Sequence, residues 1–150
     1  MQWKPNVTVA AIIRKENRFL LVEEKADDHI VFNQPAGHLE KDEHLLDAVK
    51  REVLEETARH FQPEVLVGIY LYPNRFVNDI TYLRFCFAGT CLEPEPGRLL
   101  DEGIIRTTWL SREEIVEKND KLRSPLVLKC IDDYLSGKQY SLNILDHSLL

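Results

Sequence analysis

The chain has no uninterrupted apolar run approaching the roughly 18 residues of a membrane helix, and no apolar stretch of signal-peptide length near its start. The reading is therefore no membrane partner, no export and a cytoplasmic location. Cysteine is scarce: Cys86, Cys91 and Cys130 are odd in number and lack C-x-x-C spacing, which argues against a disulfide framework and fits reduced, mostly buried thiols. Basic clusters are missing too. Nineteen Lys and Arg against 25 Asp and Glu give a net charge of -6, the wrong balance for a nucleic-acid polymer. The five histidines form no H-x-x-x-H pair, so zinc ligands are lacking. G-x-x-x-x-G-K-[ST], G-x-G-x-x-G and G-x-S-x-G are also absent, as are internal repeats and low-complexity tracts. A polyanionic small substrate would need a local remedy for its charge.

What is present is ordinary for a folded domain: 44% hydrophobic and 29% charged residues over 150 positions, enough for one domain spanning 1–150. Residues 7–14 (VTVAAIIR) and 18–24 (RFLLVEE) read as a hairpin turning at KEN. After a polar break, Pro35 and Gly37 in IVFNQPAGHLEKDE forbid a regular helix or central strand and imply a shaped loop. Leu45, Leu46, Val49, Val53 and Leu54 then recur at helical spacing, giving a helix over about 44–59. Two long strands, 64–73 and 80–92, are joined by NRFVND, and IRTTWL is a short strand. Ser111 with Glu114 is a capping-box helix start, and Ser124, Pro125 and Gly137 mark the cap, first turn and stop of a last helix. The pattern supports an α/β (α+β) fold, a mixed sheet packed by helices.

Glu52, Glu55 and Glu56 share one face of the first helix. Like charges at this spacing repel, and a solvated acidic face is one explanation. Three features favour another. The triple lies in the C-terminal half of its helix, where the macrodipole disfavours anions. Arg51 stands beside it, able to pair with Glu55 or to reach back to Glu43 or Asp47. The Pro-Ala-Gly turn upstream offers carbonyls, and mixed carboxylate and carbonyl oxygens suit Mg²⁺ or Mn²⁺.

Gly37, Glu43, Arg51, Glu52, Val53, Glu55 and Glu56 fall on the pattern G-x5-E-x7-R-E-U-x-E-E-x-G-U, U being bulky and aliphatic, and so resemble the Nudix box. Ala58 and Arg59 depart from it, standing where the final glycine and aliphatic belong. The flanks FNQPAGHLE and LRSPLV…YLSGKQY resemble those of NudJ-type Nudix phosphatases. The resemblance implies the Nudix fold, a mixed sheet sandwiched between helices, and a Mg²⁺-dependent hydrolase, with Mn²⁺ as substitute. Its substrates would be small di- or triphosphates, nucleoside tri- and diphosphates and thiamine-pathway pyrophosphates, cleaved at phosphoanhydride bonds by a monomer or homodimer. It also implies that Glu52, Glu55 and Glu56 ligate metal with the Gly37 carbonyl, that Arg51 orients them, and that Glu43 braces the loop and helix. The general base would be Glu55, or Asp101 or Glu102 of the LLDEG loop. Relatives acting on an ADP-sugar, a dinucleoside polyphosphate or an oxidised nucleotide, and a ligand sensor that does not hydrolyse, are the alternatives.

Four residues outside the box are candidates for substrate contact. Arg84, a cation among apolar strand residues, points into a cleft or makes a cross-strand ion pair; Arg123 and Ser124 hold a phosphate or merely cap a helix. His38 contacts phosphate or is simply exposed. Phe32, Tyr70, Tyr72 and Phe85 stack on a ring or belong to the core. At Ala58 a glycine would supply a left-handed turn that costs alanine about 1 kcal/mol. The helix therefore either runs on past Ala58 or turns there under mild strain.

Overall fold

A computed structural model describes residues 1–75 and 79–150; residues 76–78, inside the expected NRFVND connection, lie outside the described residues. The elements are β1 (Asn6–Lys15), β2 (Arg18–Ala26), β3 (His29–Asn33), β4 (Ala36–His38), α1 (Leu45–Thr57), β5 (Phe61–Asn74), β6 (Ile80–Cys91), β7 (Ile104–Ser111), α2 (Arg112–Glu117) and α3 (Leu126–Leu135). Among the described residues the seven strands form one mixed sheet along β3-β2-β1-β6-β5, with β4 on β1 and β7 on β2. The β1–β6 pair is parallel and the others are antiparallel.

β1 is apolar on both faces because it is central. Val9, Ala11 and Ile13 pack with Ala48, Val49 and Val53 of α1, while Ala10 and Ile12 pack in the opposite layer with Ile115 of α2 and Ile131 of α3. Helices thus cover both faces. The free edge of β1 is shared: Arg14 and Lys15 pair with β2, whereas Thr8 to Ala10 pair with β4. Between the two partners, the Ala11 N–H donates to the Pro35 carbonyl (2.9 Å), and the Gln34 side chain donates to the Ala11 carbonyl (3.4 Å). The sheet splits at this point, and the split opens a cleft.

The stretch expected to be a shaped loop instead contributes β3 and β4. Pro35 falls between them, where its missing N–H costs no ladder bond, and Gly37 sits within β4 for a steric reason given below.

α1 begins where expected. The His44 Nδ1 accepts from the Leu46 N–H (3.2 Å), and the His147 Nε2 accepts from the Leu45 N–H (3.3 Å), with the two rings stacked. The C-terminal segment reaches that point by crossing β5, exchanging backbone bonds between Leu66 and Tyr140 at 2.8 and 2.9 Å. α1 does not run on past Ala58: that residue adopts φ 62°, ψ 17° and returns its N–H to the Leu54 carbonyl at 2.9 Å. The turn forms without glycine because the Ala58 methyl is buried, at 4% exposure. Burying a methyl gains about 0.8 kcal/mol, close to the left-handed penalty of about 1 kcal/mol. Ala58→Gly is therefore expected to change stability by less than about 0.5 kcal/mol, a thermal-midpoint shift under about 2 °C. The neighbouring Arg59 lays its guanidinium over the Trp109 ring at 5.3 Å, covering it as an aliphatic would.

The later starts agree with the sequence. Ser111 and Glu114 form the reciprocal capping box of α2. The Ser124 hydroxyl accepts from the Leu126 N–H at 3.2 Å, with Pro125 at helical dihedrals (φ -61°, ψ -17°) just before α3. Gly137, at φ 93°, ends it.

Candidate active site

Arg51 organises the site from α1. Its guanidinium grips Glu43 through two bonds (2.7 and 3.0 Å), donates to Glu52 (2.8 Å) and to the His38 carbonyl (3.0 Å), and lies 3.4 Å from Glu55. Of the two upstream acids, it is Glu43 and not Asp47 that it grips. Glu43 also accepts from the Glu40 N–H (3.0 Å), bracing the segment that enters α1. The paired guanidinium holds the Glu43 carboxyl below its ordinary value, and these acids in turn hold Arg51 firmly protonated.

Glu52 and Glu56, one turn apart, are 8% and 7% exposed. A Cβ on residue 37 would run into the Glu52 carboxyl, which is why glycine stands in β4 at that point. Glu56 reaches the same strand differently, accepting from the Ala36 N–H at 2.9 Å. Burial pushes the Glu52 carboxyl up to about 7 and the Glu56 carboxyl up to about 9, with neighbouring carboxylates adding to both. Glu55 is raised as well, by burial and by Asp101. Glu52, Glu55 and Asp101 each offer an oxygen within 4.8 Å of the others, and the Asp101 N–H donates to the Glu55 carbonyl (2.9 Å), tying the LLDEG loop to α1. Three converging hard oxygens, two of them on carboxyls whose ionisation is penalised as they stand, fit a divalent cation.

A carboxyl raised by folding stays protonated in the native chain at pH values where the unfolded chain has released its proton. Stability is therefore lost as pH rises from the ordinary value of 4.5 through about 7 and about 9. In chelator, the thermal midpoint is expected to fall between about pH 5 and pH 9, and millimolar Mg²⁺ to reverse the fall at the alkaline end. A flat profile in chelator would contradict the burial-raised carboxyls, and no response to Mg²⁺ would contradict the cation fit.

The cleft at the split in the sheet has a volume of about 600 Å³. Gly37, Glu52, Glu56, Asp101 and Glu102 line it, and so do all four residues singled out for substrate contact, Arg84, His38, Arg123 and Ser124. Two of those are already engaged: Arg123 pairs with Glu24, and Ser124 caps α3. His38 is exposed at the mouth. Of the proposed stacking rings only Tyr72 lines the cleft; Phe32 belongs to the core, Phe85 packs on the α1 side, and the Tyr70 hydroxyl turns away to Asp133 at 2.8 Å. Alternation along strands places a ring on a face without saying which face is open. Sequence reasoning missed Thr8, Glu24, Asn33 and Tyr82, which also line the cleft. A polar residue at an inward strand position was the signal for Thr8 and Glu24.

Residues 3–130 match the model of the NUDIX domain. Proteins described as Phosphatase NudJ, from Escherichia coli K12 and from Shigella flexneri, are each 40% identical over 144 residues, covering 95% of this chain and 92% of theirs. A NUDIX hydrolase from Nitrosomonas europaea superimposes with a TM-score of 0.92 at 51% identity, covering 95% of this chain and 97% of that one.

Proposed function

This chain belongs to the NUDIX family of hydrolases, and from that premise we propose that it is a Mg²⁺-dependent phosphatase. It cleaves phosphoanhydride bonds of nucleoside tri- and diphosphates and of thiamine-pathway pyrophosphates. The observation that carries this reading is the convergence of Glu52, Glu55 and Asp101 beside a cleft that also holds Glu56 and Arg84. Glu52, Glu55 and Asp101 would hold the cation, with Glu56 and the Gly37 carbonyl close by on the same strand-helix junction. A Mg²⁺ or Mn²⁺ ion held by these residues would supply positive charge to offset that of the phosphoryl oxygens.

The chain's own groups do the rest. Arg51 fixes the rotamers of Glu52 and Glu55, so the carboxylates need no reorganisation when substrate arrives. Water attacks phosphorus and gives its proton to the carboxylate of Glu55, Asp101 or Glu102, while the leaving phosphate takes the electron pair of the broken anhydride bond. Glu55→Gln, Asp101→Asn and Glu102→Gln separate the three candidates, since only loss of the base removes the acid limb of the rate profile. The free thiols of Cys86, Cys91 and Cys130 suit a reducing, cytoplasmic setting.

The test is a panel of nucleoside di- and triphosphates, thiamine pyrophosphates and an ADP-sugar with Mg²⁺, followed by ³¹P NMR in ¹⁸O-water. Orthophosphate release from the first two groups is expected. Tight binding without release from any member would overturn hydrolysis in favour of a sensor.

A further inference from the structure

Arg84 of β6 is 8% exposed, yet among the described residues it makes no ion pair with a carboxylate. Its Nη1 donates to the Gln34 side-chain carbonyl at 3.0 Å, and its Nε is buried without a partner. Gln34 is itself fixed, because its amide nitrogen donates to the Ala11 carbonyl (3.4 Å) and to the Cys86 Sγ (3.6 Å), which leaves its oxygen facing Arg84. A neutral acceptor thus sets the plane of the guanidinium without cancelling its charge. On the β5 side, Tyr70, in register with Arg84, donates to Asp133, which is paired with Lys129 at 3.1 Å.

Thr8 of β1 is in register with Arg84 on the other side, and its hydroxyl oxygen is also buried without a partner. Two adjacent orphaned polar groups, one of them a cation, therefore line the cleft. A buried, unneutralised guanidinium is costly, and natural chains keep such a group where a ligand meets it.

We propose that Arg84, oriented by Gln34 and joined by the Thr8 hydroxyl, is a receptor for an oxyanion of the substrate's second phosphoryl group, the one not held over the acidic cluster. This rests on the phosphohydrolase reading and deepens it. The site would take a substrate with at least two linked phosphates, one held through a cation at the acidic cluster and the next by Arg84. Arg84 binds and orients; it moves no proton.

The experiment compares two uncleavable probes in Mg²⁺, methylenediphosphonate with two phosphorus atoms and methylphosphonate with one, by calorimetry on the full chain. The parent is expected to bind the diphosphonate at least about tenfold more tightly. Arg84→Met is expected to weaken the diphosphonate by about 10- to 100-fold, leave methylphosphonate unchanged and raise KM more than it lowers kcat. Removal of a buried charge for a side chain of similar volume leaves the fold intact, which circular dichroism checks. Thr8→Val should give a smaller loss in the same direction, and Arg84→Lys a partial recovery over Arg84→Met. Equal affinity of parent and Arg84→Met for the diphosphonate, or no preference between probes in the parent, overturns the receptor. Failure of the hydrolysis reading shows separately, as no phosphate release, and leaves this binding result standing.

Discussion

Glu56→Gln is expected to lower kcat by about a thousandfold or more while leaving the fold in place. Glutamine matches the shape of the side chain, and its carbonyl end can still accept the Ala36 N–H. What disappears is a carboxylate 7% exposed beside the proposed cation site, the charge of greatest consequence to a cation in so dry a position. Because burial already pushes this carboxyl up to about 9, its removal should leave the metal-free protein equally or more stable. Activity is read by phosphate release and folding by thermal denaturation in chelator. A variant within about tenfold of the parent would sink the assignment of Glu56 to the metal site.

Gly37→Ala is expected to be nearly as damaging at a position that carries no functional side chain. Its methyl would occupy the space of the Glu52 carboxyl. The carboxyl is the far end of a side chain, so it can swing aside, but only by leaving the Arg51 Nη1 at 2.8 Å and its place near Glu55 and Asp101. The β4 ladder with Val9 survives, because Gly37 needs no left-handed conformation. The stability loss should be about 1–2 kcal/mol by denaturant titration, and the activity loss about a hundredfold, accompanied by weaker Mn²⁺ binding in paramagnetic resonance. An alanine variant with parental turnover would show that Glu52 does not need its observed rotamer.

Much of this was legible in the residues. Helical spacing and capping pairs located α1 and α2, and the box set Arg51 among its acids. Glu43 was recognised as the brace, but the choice between it and Asp47 depends on how the chain enters α1, which no spacing encodes. β3 and β4 were hidden because Pro35 and Gly37 read as breakers. In fact the proline lies between two strands, and the glycine answers a side chain fifteen residues away. Asp101 joined Glu52 and Glu55 through a backbone bond to α1 that depends on the path of the chain after β6. The rings divide for a related reason: Phe32, Tyr70 and Phe85 belong to packed layers, the core alternative, while Tyr72 lines the cleft, and only the split in the sheet decides which face is open.

The two imidazoles at the start of α1 carry a further consequence. Both accept backbone N–H bonds; for His147, burial with the neighbouring ring holds it below its ordinary value of 6.5, and as an imidazolium it could no longer accept from Leu45. A depressed histidine contributes stability above pH 6.5 that drains away as protons are added. α1 therefore titrates from both ends in opposite senses: acid loosens its cap, and alkali charges its carboxylates. Without a cation the helix is best held in a narrow band between them; with one, only the acid side remains to be lost.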